Sequence, residues 1–276
     1  MKHCTLTFIA LAVLLLSCNQ ESSKNTTTTH EQPVDTARKQ TKQLDLNDEQ
    51  IERVKTIIAL FKENNIDKIS NQINYPLYRK YPIPPVKDKE TFKQRFNEVF
   101  DTILVNKIAN SKLEQWSDVG WQGVMLDNGI VWLGYSDAVI TAVNYQSAVE
   151  KKLREALIIK DRENLHASLK TLVSPTYKIQ TKQYHIRIDE LTNYKYRYAS
   201  WKIGEKESSK PDIILTDGKK VFEGSGGNHV FTFVNEHYTY KVYRNMIEER
   251  NTPDIRLIIL KDGEEILKED GKLIMD

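Results

Sequence analysis

A chain of 276 residues with 40 Lys and Arg against 38 Asp and Glu carries a formal charge of only +2, and the two signs alternate along most of its length. Nucleic-acid binding relies on a concentrated basic patch that displaces counterions, so this balance argues against a nucleic-acid partner. The chain has 2 cysteines, Cys4 and Cys18. If the leader described next is removed, only Cys18 survives, which rules out an internal disulfide, a thiolate zinc centre and a cysteine nucleophile in the folded body.

Met1, Lys2 and His3 precede an apolar run from Leu6 to Leu16, the charged and apolar regions of a secretory signal. A bilayer crossing needs roughly 20 apolar residues, so this run is too short to span one. It ends in Leu15, Leu16, Ser17 and Cys18, which resembles the bacterial lipobox. That resemblance implies cleavage after Ser17 and acylation of the Cys18 sulfur and freed amine. Several acyl chains, at about 0.8 kcal/mol per buried methylene, hold a protein firmly at a membrane. Asn19 rather than Asp follows the cysteine, which in lipoproteins of this kind implies the outer membrane if the cell is Gram-negative. An ordinary cleaved leader that happens to contain a cysteine is the alternative. Either way residues 1–17 are the leader, and the mature chain balances 39 basic against 38 acidic residues.

Residues 18–46 contain Thr26 to Thr29 in one run with Ser, Lys, Gln and Glu around it. Such a segment buries too little apolar surface to offset its ordering entropy, and reads as a tether between the lipidated cysteine and the body.

An α+β domain is expected over residues 47–172. Asn47 and Gln50 have capping-box spacing, and Ile51, Val54, Ile57, Ile58 and Phe61 form a stripe on one helix face. After a proline-rich loop, Tyr75 to Pro85, a second helical stripe is predicted through Phe92, Phe96, Val99, Phe100 and Ile103. Gln122 to Leu126 and Ile130 to Leu133 flank Asn128-Gly129, a hairpin signal in which both central residues take positive φ. Val139 to Tyr145 supplies a third strand, and Ala148 to Leu172 returns to helical spacing through Val149, Leu153, Ala156 and Leu157, with Lys151, Lys152 and Arg154 read as a solvated face. The helices then pack on one side of a small antiparallel sheet. This element order, with Trp116, Trp121, Gly123 and Trp132, resembles the NTF2-like cone of many secreted bacterial proteins.

From residue 173 to 276 the period becomes two. Strands are predicted at Lys182 to Asp189, Lys195 to Trp201, Asp212 to Leu215, Val230 to Val234, Tyr238 to Tyr243 and Arg256 to Lys261. Turn signals lie at Asp217-Gly218, Gly224 to Asn228, Asn235-Glu236 and Asp262-Gly263. This is an all-β sandwich or barrel. Tyr194, Tyr196 and Tyr198 alternate as core residues do, with Lys195 and Arg197 on the outer face.

The chemistry-bearing residues do not assemble into a known motif. Gly224, Ser225, Gly226 and Gly227 lack the lysine of a phosphate loop and the spacing of a nucleophile elbow, and read as a turn. His185, His229 and His237 are not in metal-helix spacing and read as hydrogen-bonded sheet residues, so no metal or cofactor is expected. Residues 31 to 165 contain no histidine. Acid–base chemistry there would fall to a carboxylate raised by burial, with Asp118 among Trp116, Trp121 and Trp132 as the candidate pocket. The sequence thus points to a membrane-anchored envelope lipoprotein acting as a non-catalytic binding or interaction module for a protein, peptide or glycan. A carboxylate-dependent hydrolase or isomerase is the alternative.

Overall fold

Asn47 begins the first helix as its spacing predicts. Its side chain accepts from the Gln50 amide while Gln50 Oε1 accepts from the Asn47 amide, each at 2.9 Å, so two otherwise orphaned donors are satisfied reciprocally. A computed structural model describes residues 45–135, 139–246 and 252–274. The leader, the lipobox with Cys18 and the tether as far as Leu44 lie outside the described residues. Helix α1 (Asp48–Glu63) buries Val54, Ile57, Ile58 and Phe61 and is followed by the short α2 (Ile66–Ser70).

The phenylalanine stripe is divided between two helices rather than carried by one. Helix α3 (Lys89–Val99) ends at Phe100, whose φ of −109° and ψ of 74° are not helical, and Asp101 starts α4 (Thr102–Ala109). The cause is local: the Asp101 carboxylate accepts the Leu104 amide at 3.0 Å, a stronger option for the backbone than continuing the turn. Phe92, Phe96, Val99 and Phe100 stay in the core, whereas Ile103 is turned outward, 66 % exposed.

The small sheet is a meander of β1 (Trp116–Asp118), β2 (Val124–Leu126), β3 (Val131–Leu133) and β4 (Ile140–Val143). Its central hairpin lies where Asn128-Gly129 places it, but the positive φ values belong to Asp127 (49°) and Gly129 (80°). Asp127 is held by Lys107 at 2.8 Å and by the Gln115 amide at 3.2 Å. A Cβ on Gly129 would lie 2.9 Å from the Trp132 indole nitrogen, which leaves room for glycine alone.

Helix α5 (Ala148–Glu163) is capped by Ser147, whose Oγ accepts the Glu150 amide at 3.0 Å. It is shorter than the predicted stretch to Leu172; a single 3-10 turn at Ala167–Leu169 follows. Its inward face is also not the expected one. Val149 is exposed while Glu150 and Ile158 are buried.

Eight strands follow in chain order: β5 (Ser174–Thr181), β6 (Tyr184–Glu190), β7 (Tyr196–Lys202), β8 (Ile213–Phe222), β9 (His229–Asn235), β10 (Tyr238–Arg244), β11 (Ile255–Lys261) and β12 (Glu264–Leu273). Each pairs antiparallel with its chain neighbours, and β12 returns to β5 through Gly271 opposite Thr181 and Leu273 opposite Ile179, closing a barrel. The sandwich alternative is thereby set aside. The predicted turn at Asp217-Gly218 is instead a bulge inside β8, where the β7–β8 register shifts between Tyr196 and Tyr198. The barrel interior is packed with Ile179, Ile186, Ile188, Tyr198, Phe231, Phe233, Val242, Ile255 and Leu257.

The described residues form one compact unit. Within it, β6 and β7 are covered on their outer face as well, by Leu165, Leu169 and Leu172 against Ala199 and Trp201. Arg197, expected in solvent, is 4 % exposed; its guanidinium donates to Asp189 at 2.6 Å and to the carbonyls of Leu169 (2.7 Å) and Thr171 (3.1 Å). The class is thus α+β: helices with a four-stranded antiparallel sheet, then a closed barrel. Among the described residues no helix is long and apolar enough to cross a membrane.

Candidate functional site

The residues singled out around Asp118 differ in burial and in the partners they hold. Trp116 is 1 % exposed in the helical core, with its indole N–H donating to Ser111 Oγ at 3.0 Å. Asp118, two residues along β1, accepts the Gly120 amide at 3.0 Å and so shapes the turn before β2. Trp121 is 60 % exposed, and the Trp132 indole donates to the Gly129 carbonyl at 3.0 Å. None of the four lines either of the two clefts described below. Gly224, Ser225, Gly226 and Gly227 lie in the β8–β9 turn, where the Ser225 carbonyl accepts from Gln122 at 3.1 Å.

A cleft of about 400 Å³ lies instead at one end of the barrel. The strand termini that meet there contribute Ser174, Thr176 and Tyr177 from β5, Glu190 from β6, Tyr196 from β7, Lys220 from β8, Arg244 from β10 and Leu273 from β12. The proline-rich loop forms the opposite wall with Tyr78, Tyr81, Ile83 and Pro85, and α5 adds Arg154. This wall is fixed rather than loose. Leu77 and Val86 exchange both backbone hydrogen bonds at 2.9 Å, and the buried Arg79 pairs with Glu150 of α5, Nε to Oε1 at 2.7 Å, while also donating to the Tyr145 carbonyl at 2.7 Å. The mouth of a small barrel is a recurrent place for a ligand.

Behind the cleft, charged side chains form a continuous seam between α5 and the outer wall of the barrel. Arg187, fully buried, donates to Asp189 at 2.7 Å and Glu207 at 2.8 Å, and is also paired with Asp161 of α5. Lys178 reaches Asp161 at 2.9 Å and Glu207 at 3.4 Å. Burial pushes the Glu207 carboxyl up, but the His185 hydrogen bond at 2.8 Å and the charges of Arg187 and Lys178 together outweigh it and bring it down to about 2. Burial holds the Tyr81 phenol up at about 12. These groups are structural, because each charge is matched by opposite ones.

On the barrel side, the Tyr177 hydroxyl lies 2.9 Å from His229 Nε2, and His229 Nδ1 lies 2.7 Å from the Gly227 carbonyl. A carbonyl accepts only, so Nδ1 carries the proton and Nε2 accepts from Tyr177. Burial brings His229 down to about 4 and raises Tyr177 to about 12. The proton therefore stays on the phenol, and the pair orients Tyr177 rather than activating it. His185 and His237 face Glu207 and Asp262 respectively, so the three sheet histidines do not meet. Among the described residues no cluster of three or more His, Cys, Asp or Glu is placed to hold a metal.

A second groove of about 410 Å³ between α1, α3 and α4 has buried phenylalanines as its floor and Asn64, Asn97, Asn106 and Asn110 along its edges. Asn64 and Asn110 are the C-caps of α1 and α4, which accounts for two of these carboxamides.

The sequence reading set Arg154 on a solvated face, whereas it lines the cleft, and it passed over Glu190 and Lys220. A signal for Arg154 was present: Glu150, Arg154, Ile158 and Asp161 recur at three- and four-residue spacing, so charge is interleaved with the inward stripe of α5. Compared with protein-family models, with curated proteins and with solved structures, the chain matches none.

Proposed function

We propose that this protein is a lipid-anchored envelope module that binds a small ligand non-catalytically in the cleft at the end of its barrel. The observation that carries the reading is a preformed cavity of about 400 Å³ whose walls are mostly apolar and aromatic, with a few charged groups directed into it. Tyr177, which lines the cleft, is hydrogen-bonded to His229, and this pair is poised to keep its proton, which favours binding over turnover. Cys18 serves as the anchor, with the tether spacing the body from the membrane and the outer membrane as destination in a Gram-negative cell. The likeness of the helical half to NTF2-like cones is proposed only as far as helices set against a small antiparallel sheet; its strands of three or four residues are short for a cone.

Two measurements test the reading. Metabolic labelling with a palmitate analogue is expected to mark the wild type and not Cys18→Ala, and unlabelled wild type in the soluble fraction would refute the anchor. Full-length protein purified without added ligand and then denatured is expected to release a small molecule detectable by mass spectrometry. That species should be missing from Thr176→Trp, which grows a ring into the cleft. An extract identical for both proteins would refute the site.

A further inference from the structure

The charges of the cleft specify what its ligand carries, an inference that rests on the cleft being the binding site. Six of the lining residues are Lys or Arg, and one, Glu190, is a carboxylate. Three of the cations are already matched: Arg79 by Glu150, Lys178 by Asp161 and Glu207, and Arg244 by Asp254. Lys80, Arg154 and Lys220 have no carboxylate partner among the described residues. The Arg154 Nε donates to the Tyr81 carbonyl at 2.9 Å, and no carboxylate of the described residues lies within ion-pair distance of its guanidinium. The Lys220 ammonium sits 4.6 Å from the centre of the Phe222 ring and 5.6 Å from that of Phe231, again without an ion pair among the described residues. Glu190 acts electrostatically on both cations while its Oε2 accepts from Ser174 at 3.2 Å.

Among the described residues, one carboxylate shared by two cations leaves positive charge uncompensated, and Lys80 adds more. Burial depresses the pKa of both Arg154 and Lys220, as expected where water no longer stabilises the charge. An anion entering there would replace the missing counter-charge in a region of low effective dielectric, where it counts for more than in water. The rest of the lining has a different character. Tyr78, Ile83, Pro85, Tyr196, Met246 and Leu273 offer apolar surface, and no Asn or Gln is present among the lining residues to read sugar hydroxyls.

We infer that the cleft takes a small amphiphilic anion, with its acidic head between Arg154 and Lys220 and its apolar body along the tyrosine and proline wall. A peptide or a neutral glycan would leave either the cations or the apolar wall unmatched.

The test uses full-length protein reconstituted in phosphatidylcholine vesicles, with protein-free vesicles subtracted, and titration calorimetry with phenylbutyrate, phenylbutylphosphonate, phenylbutanol and phenylbutylamine. These probes share one apolar body and differ in head group. Wild type is expected to bind both acids at least about tenfold more tightly than the alcohol, and not to bind the amine. Which acid binds more tightly identifies the head as carboxylate or phosphoryl. Lys220→Met is expected to lower acid affinity about tenfold and to leave alcohol affinity unchanged, the latter showing that the cleft still forms; Arg154→Leu, which also releases the Tyr81 carbonyl, is expected to lower affinity for the acids about tenfold more than for the alcohol. Equal affinity for acid and alcohol, or preference for the amine, would overturn the inference; if Thr176→Trp then abolished alcohol binding, the cleft would remain a binding site. No saturable binding of any probe by wild type would overturn the inference, whereas the ligand-extraction experiment bears separately on the site.

Discussion

Arg187 has no exposed side-chain surface and three carboxylates, Asp161, Asp189 and Glu207, around its guanidinium. Removing such a cation leaves three carboxylates short of counter-charge, with Arg197, Lys178 and His185 alone beside them, and breaking a buried pair of this kind costs about 3–5 kcal/mol. Arg187→Met is therefore expected to lower unfolding free energy by that amount in urea titration, and a loss below about 1 kcal/mol would show that water replaces the guanidinium. Gly218 is constrained by space: a Cβ there would lie 2.1 Å from Cε1 of the buried Phe233 ring. Gly218→Ala should cost about 1–3 kcal/mol through overpacking, and Phe233→Leu in the same chain should recover part of it. Protonation acts at His229 and Glu207. His229 falls from 6.5 to about 4 in the folded protein, so its share of stability is complete above pH 6.5 and is lost as pH falls towards 4, about 3 kcal/mol at most. Glu207 falls from 4.5 to about 2, so its share is present above 4.5 and lost below it. Stability measured against pH should decline first through the histidine window, and His229→Gln should flatten that limb alone. Little of this was legible in the sequence. Arg187, Asp189 and Arg197 alternate with apolar neighbours as solvent-facing residues do, and only a second layer of chain over β6 and β7 turns that face into an interior.

Elements were more readable than residues wherever a local interaction decides the outcome. The capping box of α1 and the turn at Asp262 (φ 50°) and Gly263 (φ 89°) are set by a few adjacent atoms, and both appear where the residues place them. Other elements turned on contacts that hydrophobic spacing does not record. Ile103 continues the phenylalanine spacing, yet Asp101 stops the helix, and its second carboxylate oxygen accepts the Tyr145 hydroxyl at 2.8 Å. Losing a cap of this kind costs about 1 kcal/mol, and the buried tyrosine contact adds to it. Asp101→Ala should therefore destabilise by about 1–2 kcal/mol, while Asp101→Ser, which keeps a cap oxygen but cannot reach as far, should cost less. Equal losses in chemical denaturation would mean that the tyrosine bond carries the effect. β12 was missed because Glu264, Glu265, Lys268, Glu269 and Asp270 give it almost no apolar face. It is held by backbone pairing to β11 and β5 and by the Arg256–Asp270 pair at 2.7 Å, none of which is a hydrophobic pattern.

At the scale of the molecule, two sheets with separate cores are joined by a helix whose charged residues point inward at both ends. Near its start, α5 supplies Glu150 to Arg79 of the proline-rich loop; near its end it supplies Asp161 to Arg187 and Lys178 of the barrel. Neither contact can open without exposing an unmatched charge to an apolar surrounding, so the helical half is stabilised by the barrel's presence and the barrel by the helix. The cleft depends on the same connection, because Arg154 lies between those two anchor points on α5 and its Nε holds the Tyr81 carbonyl of the opposite wall. Thermal unfolding should accordingly be a single transition, with the fluorescence of Trp201, buried against the barrel's outer wall, coinciding with that of Trp116 in the helical core when each is isolated by Trp→Phe changes at the other positions. Asp161→Leu removes the barrel anchor while leaving Arg187 paired to Asp189 and Glu207, and should separate the two signals, with Trp116 reporting the earlier loss. Coincident transitions in Asp161→Leu would show that the cores are coupled by apolar contact and that the seam serves the cleft alone.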